Sequence, residues 1–205
     1  MSRLALTSNI IQKCTITDRD SMQAENTPLR DCYIINDKIF KDERGFFYES
    51  FNAQTFVRET GLNIAFVQDN QSRSSRGVLR GLHFQKGDHS QAKLVRVLQG
   101  EVLDVVVDLR RSSPTFGKSF SILLSETSNT QLFVPRGFAH GFVVLSDTAD
   151  FFYKCDNYYN KSAESGIIFN DPTLNIDWKI PIEQLIVSDK DAVLPVFAES
   201  QTIFE

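Results

Sequence analysis

Short apolar runs broken by polar or turn-forming residues recur along most of the chain, and little of it carries the three-to-four spacing of an amphipathic helix. Strands are predicted at residues 33–35, at 46–51 after the turn Asp42-Glu43-Arg44-Gly45, and at 78–85, 93–98 and 102–109. Others follow at 119–124, 131–134, 141–145 and 150–154. Gln99-Gly100-Glu101 reads as the connection of a hairpin between 93–98 and 102–109. In 102–109, Leu103, Val105, Val107 and Leu109 share one face, and Asp104 and Asp108 lie on the other. The clearest helix starts at the cap Asn52, runs through Thr60 and closes at Gly61. Many short strands at roughly 8–12-residue spacing, with almost no helix between them, predict an antiparallel sandwich or barrel. Met1 to Thr27 shows no sustained period and reads as an extension, ordered or partly ordered, rather than core.

One strand pattern raises a chemical question. In Val78-Leu79-Arg80-Gly81-Leu82-His83-Phe84-Gln85, strict alternation turns Arg80, Leu82 and Phe84 one way and Leu79, Gly81, His83 and Gln85 the other. His83 and Gln85 then share a face with the bare Gly81, whose missing side chain reads as room for a ligand.

Composition narrows the class. With 205 residues, 41% of them apolar, the chain suits one substantial core. A net charge of −4 with both signs scattered lacks the basic stripe of a nucleic-acid binder. No window approaches the roughly 18 consecutive apolar residues of a membrane span, and Leu4 to Leu6 is too short for a signal-peptide core, so a cytoplasmic protein is expected. Cys14, Cys32 and Cys155 are odd in number, widely spaced and without a C-x-x-C pair, which fits reduced thiols. The 17 Phe residues predict sheets packed through aromatic side chains.

Pro135-Arg136-Gly137-Phe138-Ala139-His140 places a second histidine after a tight turn, at the opening of the next strand. Its P-x-G-x-x-H spacing resembles the second motif of the cupins, small double-stranded β-helix barrels. A metal-binding cupin usually brings H-x-H from its first motif, whereas this chain has His83-Phe84-Gln85, a poor donor set for iron, manganese or zinc. An imidazole titrates near neutral pH and suits proton abstraction. Read alone, His83 is better explained as a core histidine satisfied by a backbone carbonyl. Lys93, costly inside a barrel unless it meets an anion, and Tyr153, a candidate acid, shift the balance toward proton chemistry with a stabilised enolate.

Asp42-Glu43-Arg44-Gly45-Phe46-Phe47, Val67-Gln68-Asp69-Asn70, Leu79-Arg80-Gly81-Leu82-His83, Gln91-Ala92-Lys93-Leu94-Val95-Arg96, Ser112-Ser113-Pro114-Thr115-Phe116-Gly117 and Pro135-x-Gly137-Phe138-Ala139-His140-Gly141-Phe142 together resemble the dTDP-4-dehydrorhamnose 3,5-epimerase family. Asn170-Asp171-Pro172, Ser188-Asp189-Lys190-Asp191 and Leu194-Pro195 extend the resemblance, which spans about Thr27 to Glu205. It implies an all-β cupin, a jelly-roll barrel with a few short helices, acting as a homodimer without metal or other cofactor on a nucleotide-linked 4-keto-6-deoxy sugar. The domain is expected over 24–205, with 1–23 an added N-terminal extension. By position, His83 resembles the base, Asp191 its carboxylate partner, Lys93 the lysine near the C4 oxygen, and Tyr153 the acid on the opposite face. Arg44, Glu49, Gln68, Asn70, Arg80, His140, Glu164 and Lys190 match substrate-contacting positions, and Tyr159 resembles the aromatic near the nucleobase. Arg and Lys suit a diphosphate. Phe84 stands where a Tyr is common, and Ser165 after Glu164 breaks the usual Glu-Arg pairing. Within the scaffold, a single-centre epimerase, a keto-isomerase or a GDP-sugar epimerase remains open. Outside it stand a metal-dependent cupin oxygenase using His83, His140 and a carboxylate, and a sugar-nucleotide binder without turnover.

Overall fold

Alternating faces let a strand bury one side and show the other, and here that property closes two antiparallel sheets on each other. The computed structural model describes residues 21–200 and 204. Among them run β1 (Gln23–Asn26), β2 (Tyr33–Asn36), β3 (Phe40–Asp42), β4 (Gly45–Phe47), α1 (Ala53–Thr60), β5 (Gln68–Ser75), β6 (Leu79–Gln85), β7 (Lys93–Gln99) and β8 (Glu101–Asp108). These are followed by β9 (Ser119–Ser125), β10 (Thr130–Val134), β11 (Phe138–Val144), β12 (Thr148–Cys155) and β13 (Glu164–Gly166). A six-stranded sheet has the order β1-β2-β10-β7-β12-β5, a five-stranded sheet the order β13-β6-β11-β8-β9, and β3 and β4 form a separate hairpin. This is the cupin barrel expected from the resemblance.

Three apolar clusters build it. Between the sheets, Val95 and Val97 of β7 meet Val102 and Val106 of β8, with Phe142, Val144 and Phe151 beside them. Outside the five-stranded sheet, Leu79, Leu82, Leu103, Val105 and Val107 are covered by Ile167, Trp178 and Phe197 of the C-terminal segment. Outside the six-stranded sheet, Ile35, Leu94 and Phe133 are covered by Phe56 of α1, flanked by Phe51 and Phe66. The Phe56 ring stands edge-on to Phe133 at 5.2 Å between centroids, a favoured aromatic geometry. The helix is bounded as its sequence predicts: the Asn52 side chain accepts from the backbone N–H of Gln54 and Thr55, and Gly61 turns at φ 73° to return its N–H to Val57.

Four expectations change. The strands 93–98 and 102–109 do not form a hairpin: β7 and β8 belong to different sheets, and Gly100, at φ 79°, turns the chain across the barrel. β1 is an edge strand where an extension was expected, and Met22 packs beside Phe56; the rest of the expected extension, 1–20, and Cys14 lie outside the described residues. β5 escaped detection because its sequence, QDNQSRSS, is polar on both faces. The run 46–51 is extended only to Phe47, as half of the β3–β4 arm.

A further change concerns β6. Its pairing with β11 shifts between His140 and Phe142, so that His140 faces His83 while Phe142 faces Arg80. The irregularity breaks strict alternation, and Arg80 and His83 open onto the same cavity. The space beside Gly81 belongs to the neighbouring strand, not to a ligand. A Cβ there would lie 2.6 Å from Gly141 Cα and 2.8 Å from the His140 carbonyl oxygen, at a φ of 126°. Gly81→Ala should therefore cost roughly 2–5 kcal/mol of unfolding free energy in urea titration, from backbone strain and overlap together. A cost below about 1 kcal/mol would contradict the close approach.

Candidate active site

The sheets enclose a cavity of about 630 Å³ that opens between β5, β6 and the C-terminal segment. Each sheet contributes its own chemistry. From the five-stranded sheet come Arg80, His83, His140 and Glu164; from the six-stranded sheet come Asn70, Lys93 and Tyr153; and Lys190 and Asp191 arrive from the C-terminal segment.

His83 Nε2 lies 2.7 Å from Asp191 Oδ1, and the other Asp191 oxygen accepts from the Gly81 backbone N–H at 3.2 Å. Burial opposes ionisation of Asp191, but the hydrogen bonds from His83 and the Gly81 N–H are among the interactions that outweigh it and hold the carboxyl below its usual range. An ionised Asp191 takes the hydrogen on Nε2, which leaves the lone pair on His83 Nδ1.

A second pair lies deeper. His140 Nε2 is 2.9 Å from Oδ2 of Asp104, which is fully buried, while Asp104 Oδ1 has no hydrogen-bond partner. Desolvation lowers the pKa of His140 despite Asp104, and the charges of Lys93 and His83 act in the same direction, so the ring stays neutral. Lys93 Nζ lies 5.8 Å from the centre of the Tyr153 ring. Burial lowers the Lys93 pKa, with the negative charges of Asp104 and Glu164 among those opposing it. Burial raises that of Tyr153, against the nearby Arg80, so its phenol keeps its proton. Phe142 and Phe151, stacked at 4.1 Å, give the cavity an aromatic wall.

A protein-family model described as dTDP-4-dehydrorhamnose 3,5-epimerase matches residues 26–199. The chain belongs to the dTDP-4-dehydrorhamnose 3,5-epimerase family. A relative of that name from Shigella flexneri is 51% identical over 170 residues, covering 83% of this chain and 93% of the relative. The crystal structure of the dTDP-4-dehydrorhamnose 3,5-epimerase of Elizabethkingia anophelis NUHP1 is 59% identical with a TM-score of 0.85, covering 87% of this chain and 97% of that one. That of the dTDP-6-deoxy-D-glucose-3,5-epimerase of Legionella pneumophila Philadelphia 1, in complex with dTDP-4-keto-L-rhamnose, is 48% identical with a TM-score of 0.84, covering 90% and 99%. The chain is thus an epimerase of the isomerase class, related to dTDP-sugar enzymes over most of its length.

Most of the residues expected from the epimerase resemblance come together. Gln68 and Tyr159 line a recess of about 140 Å³ that shares Asn70, His83, Lys93, Tyr153 and Glu164 with the main cavity. At the rim, Glu164 joins Tyr159, whose hydroxyl donates to it at 2.9 Å, to the Lys190 ammonium. Arg44 and Glu49 do not join the site. Arg44 sits at the tip of the β3–β4 arm, paired with Asp42, and Glu49 is exposed just beyond it. The donor set of the metal-dependent alternative is not assembled either: the two histidines turn Nε2 to different carboxylates, and no metal-ligating group of three or more His, Cys, Asp or Glu forms among the described residues.

Asp104, Phe142 and Phe151 were missed in the sequence. For Asp104 a signal existed: a carboxylate facing inward on an otherwise apolar strand needs a partner, although nothing in the spacing named His140 as that partner. Its charge should be visible in the titration of Lys93. Followed by ¹³Cε NMR, Lys93 is expected to titrate below the ordinary 10.5, and lower still in Asp104→Asn, where a stabilising negative charge is gone. A midpoint unmoved by the substitution would disconnect the two groups.

Proposed function

We propose that the enzyme inverts C3 and C5 of a dTDP-linked 4-keto-6-deoxyhexose, taking dTDP-4-dehydro-6-deoxyglucose to dTDP-4-dehydrorhamnose in deoxysugar biosynthesis. The observation that carries the mechanism is that His83 and Tyr153 enter one cavity from opposing sheets, with Lys93 beside the tyrosine.

The hydrogens at C3 and C5 are acidic because each carbon adjoins the C4 ketone. His83 Nδ1 removes one as a proton, and the electron pair moves to the C4 oxygen, where the Lys93 ammonium stabilises the enolate. Tyr153 then returns a proton to the same carbon from the other face, and inversion is complete when tyrosinate and imidazolium reset through solvent. Asp191 keeps His83 in the tautomer that exposes Nδ1. Arg80 and Lys190 face the diphosphate, Gln68, Asn70, His140 and Glu164 orient the sugar and nucleotide, and Tyr159 packs near the base. No step calls for a cofactor.

In deuterated water, His83→Asn should lower deuterium entry at C3 and C5 by at least about 100-fold, the usual minimum for a positioned base, with the fold retained. Undiminished entry in that variant would remove His83 from the role. Tyr153→Phe should keep exchange and lose inversion. Deuterium at only one of the two carbons in the unsubstituted enzyme would make it a single-centre epimerase.

The same reading makes the enzyme a cytoplasmic homodimer whose arms reach across. Phe46 and Phe47 are 66% and 72% exposed on the arm that carries Arg44, apolar surface that a partner subunit would cover. If Arg44 serves the partner's cavity, mixing inactive His83→Asn with impaired Arg44→Ala chains restores one intact site per mixed dimer. Random mixing then recovers roughly a quarter of the unsubstituted activity. No recovery would place Arg44 outside the partner's site.

A further inference from the structure

Behind the cavity, on the outer face of the six-stranded sheet, two polar side chains interrupt an apolar surface. Gln131 of β10 and Arg96 of β7 are register partners, with Ile35 next in the same row and Leu94 and Phe133 two residues along. Above them lie the two stems of the β3–β4 arm. The Gln131 amide donates to both oxygens of Asp37, at 3.0 and 2.8 Å, and to the Ser50 carbonyl at 2.9 Å, so one side chain grips the stem before β3 and the stem after β4. Arg96 is 7% exposed. Its Nη1 is 4.0 Å from Asp37 Oδ2, its guanidinium lies 5.0 Å from the centre of the Tyr48 ring, and its Nε has no hydrogen-bond partner.

Packing alone does not account for this arrangement. A buried guanidinium with an unsatisfied N–H and one long ion pair is expensive, and a methionine of similar length would cover the sheet at lower cost. The Asp37 side chain has no exposed surface, and burial pushes its carboxyl up to about 6 against the pull of Arg96 and Gln131. The cluster does supply direction. Every residue from Phe40 to Phe47 is exposed, and the arm's contacts stay local: Arg44 with Asp42, and Phe46 against Tyr48 at 5.9 Å. A hairpin so placed takes its aim from its stems.

We propose that Arg96, Gln131, Asp37 and Tyr48 form a positioning clamp that fixes the direction of the arm and so delivers Arg44 and Glu49 to the substrate. The delivery rests on the reading of the arm given above; the anchoring does not. None of the four touches the cavity, so releasing the clamp leaves proton transfer intact and adds the cost of ordering the arm to substrate binding.

The test compares Arg96→Met and Tyr48→Leu with Tyr48→Phe, which keeps the ring over the guanidinium. In the first two, amide hydrogen exchange across residues 38–50 should rise by about 10-fold or more, while β6, β7 and β11 keep their protection. KM should rise by about 10-fold or more with kcat within about 3-fold of the unsubstituted enzyme, and Tyr48→Phe should behave as unsubstituted. If Arg96→Met does not fold, Tyr48→Leu decides, since Tyr48 sits on the arm side of the cluster. Unchanged exchange in the arm overturns the clamp. Faster exchange with unchanged KM overturns delivery, and an unchanged KM in Arg44→Ala traces that failure to the reading of the arm.

Discussion

His83 and Asp191 lie 108 positions apart in the chain and 2.7 Å apart in the fold, and the chemistry of the cavity depends on that closure. What brings them together is apolar. The C-terminal segment lays Ile167, Trp178 and Phe197 against the outer face of the five-stranded sheet, and Asp191 follows to the sheet's edge. Each such side chain contributes roughly 1.5–3 kcal/mol when fully buried. A single charge-assisted hydrogen bond adds about 1.5–3 kcal/mol. Several buried side chains outweigh one polar contact, so packing decides where the carboxylate arrives and the imidazole settles only its final orientation. The Gly81 N–H completes the arrangement, on backbone that a side chain would block.

The two sheets divide the electrostatic work. One holds both histidines, each tied to its own carboxylate; the other holds the ammonium and the phenol. Because the groups sit on strands rather than loops, their separation is set by the apolar layer between the sheets, in which Phe142 and Phe151 are also part of the cavity wall. Burial then acts on each group in the direction proton transfer needs: the phenol keeps its hydrogen, and the lysine is held where an anion is welcome.

Much of this was legible in the residue pattern and some of it was not, for reasons particular to each element. Asn52 and Gly61 announce the ends of α1 because capping is local chemistry. The alternation of Leu103, Val105 and Val107 against Asp104 correctly separates an outer from an inner face, because period two is a property of any half-buried strand. The turn at Gly100 misleads, since a short glycine connection looks the same whether the chain stays in its sheet or crosses to the other. β5 carries no apolar signal, yet it supplies Asn70 to the cavity. Motif resemblance gathers Gln68, Arg80, His140, Tyr159 and Lys190 around the site, but it cannot say that Arg44 and Glu49 stand away from the cavity of their own chain.

Trp178 is the chain's single tryptophan, 4% exposed, with its indole N–H bound to the Phe169 carbonyl in the layer that carries Asp191 toward His83. The protein therefore has one tryptophan fluorophore, which can be excited selectively over its tyrosines and is located in the wrapping segment, away from the cavity lining. Its emission reports whether that wrap is seated, which makes the assembly of the dyad observable by light without any label.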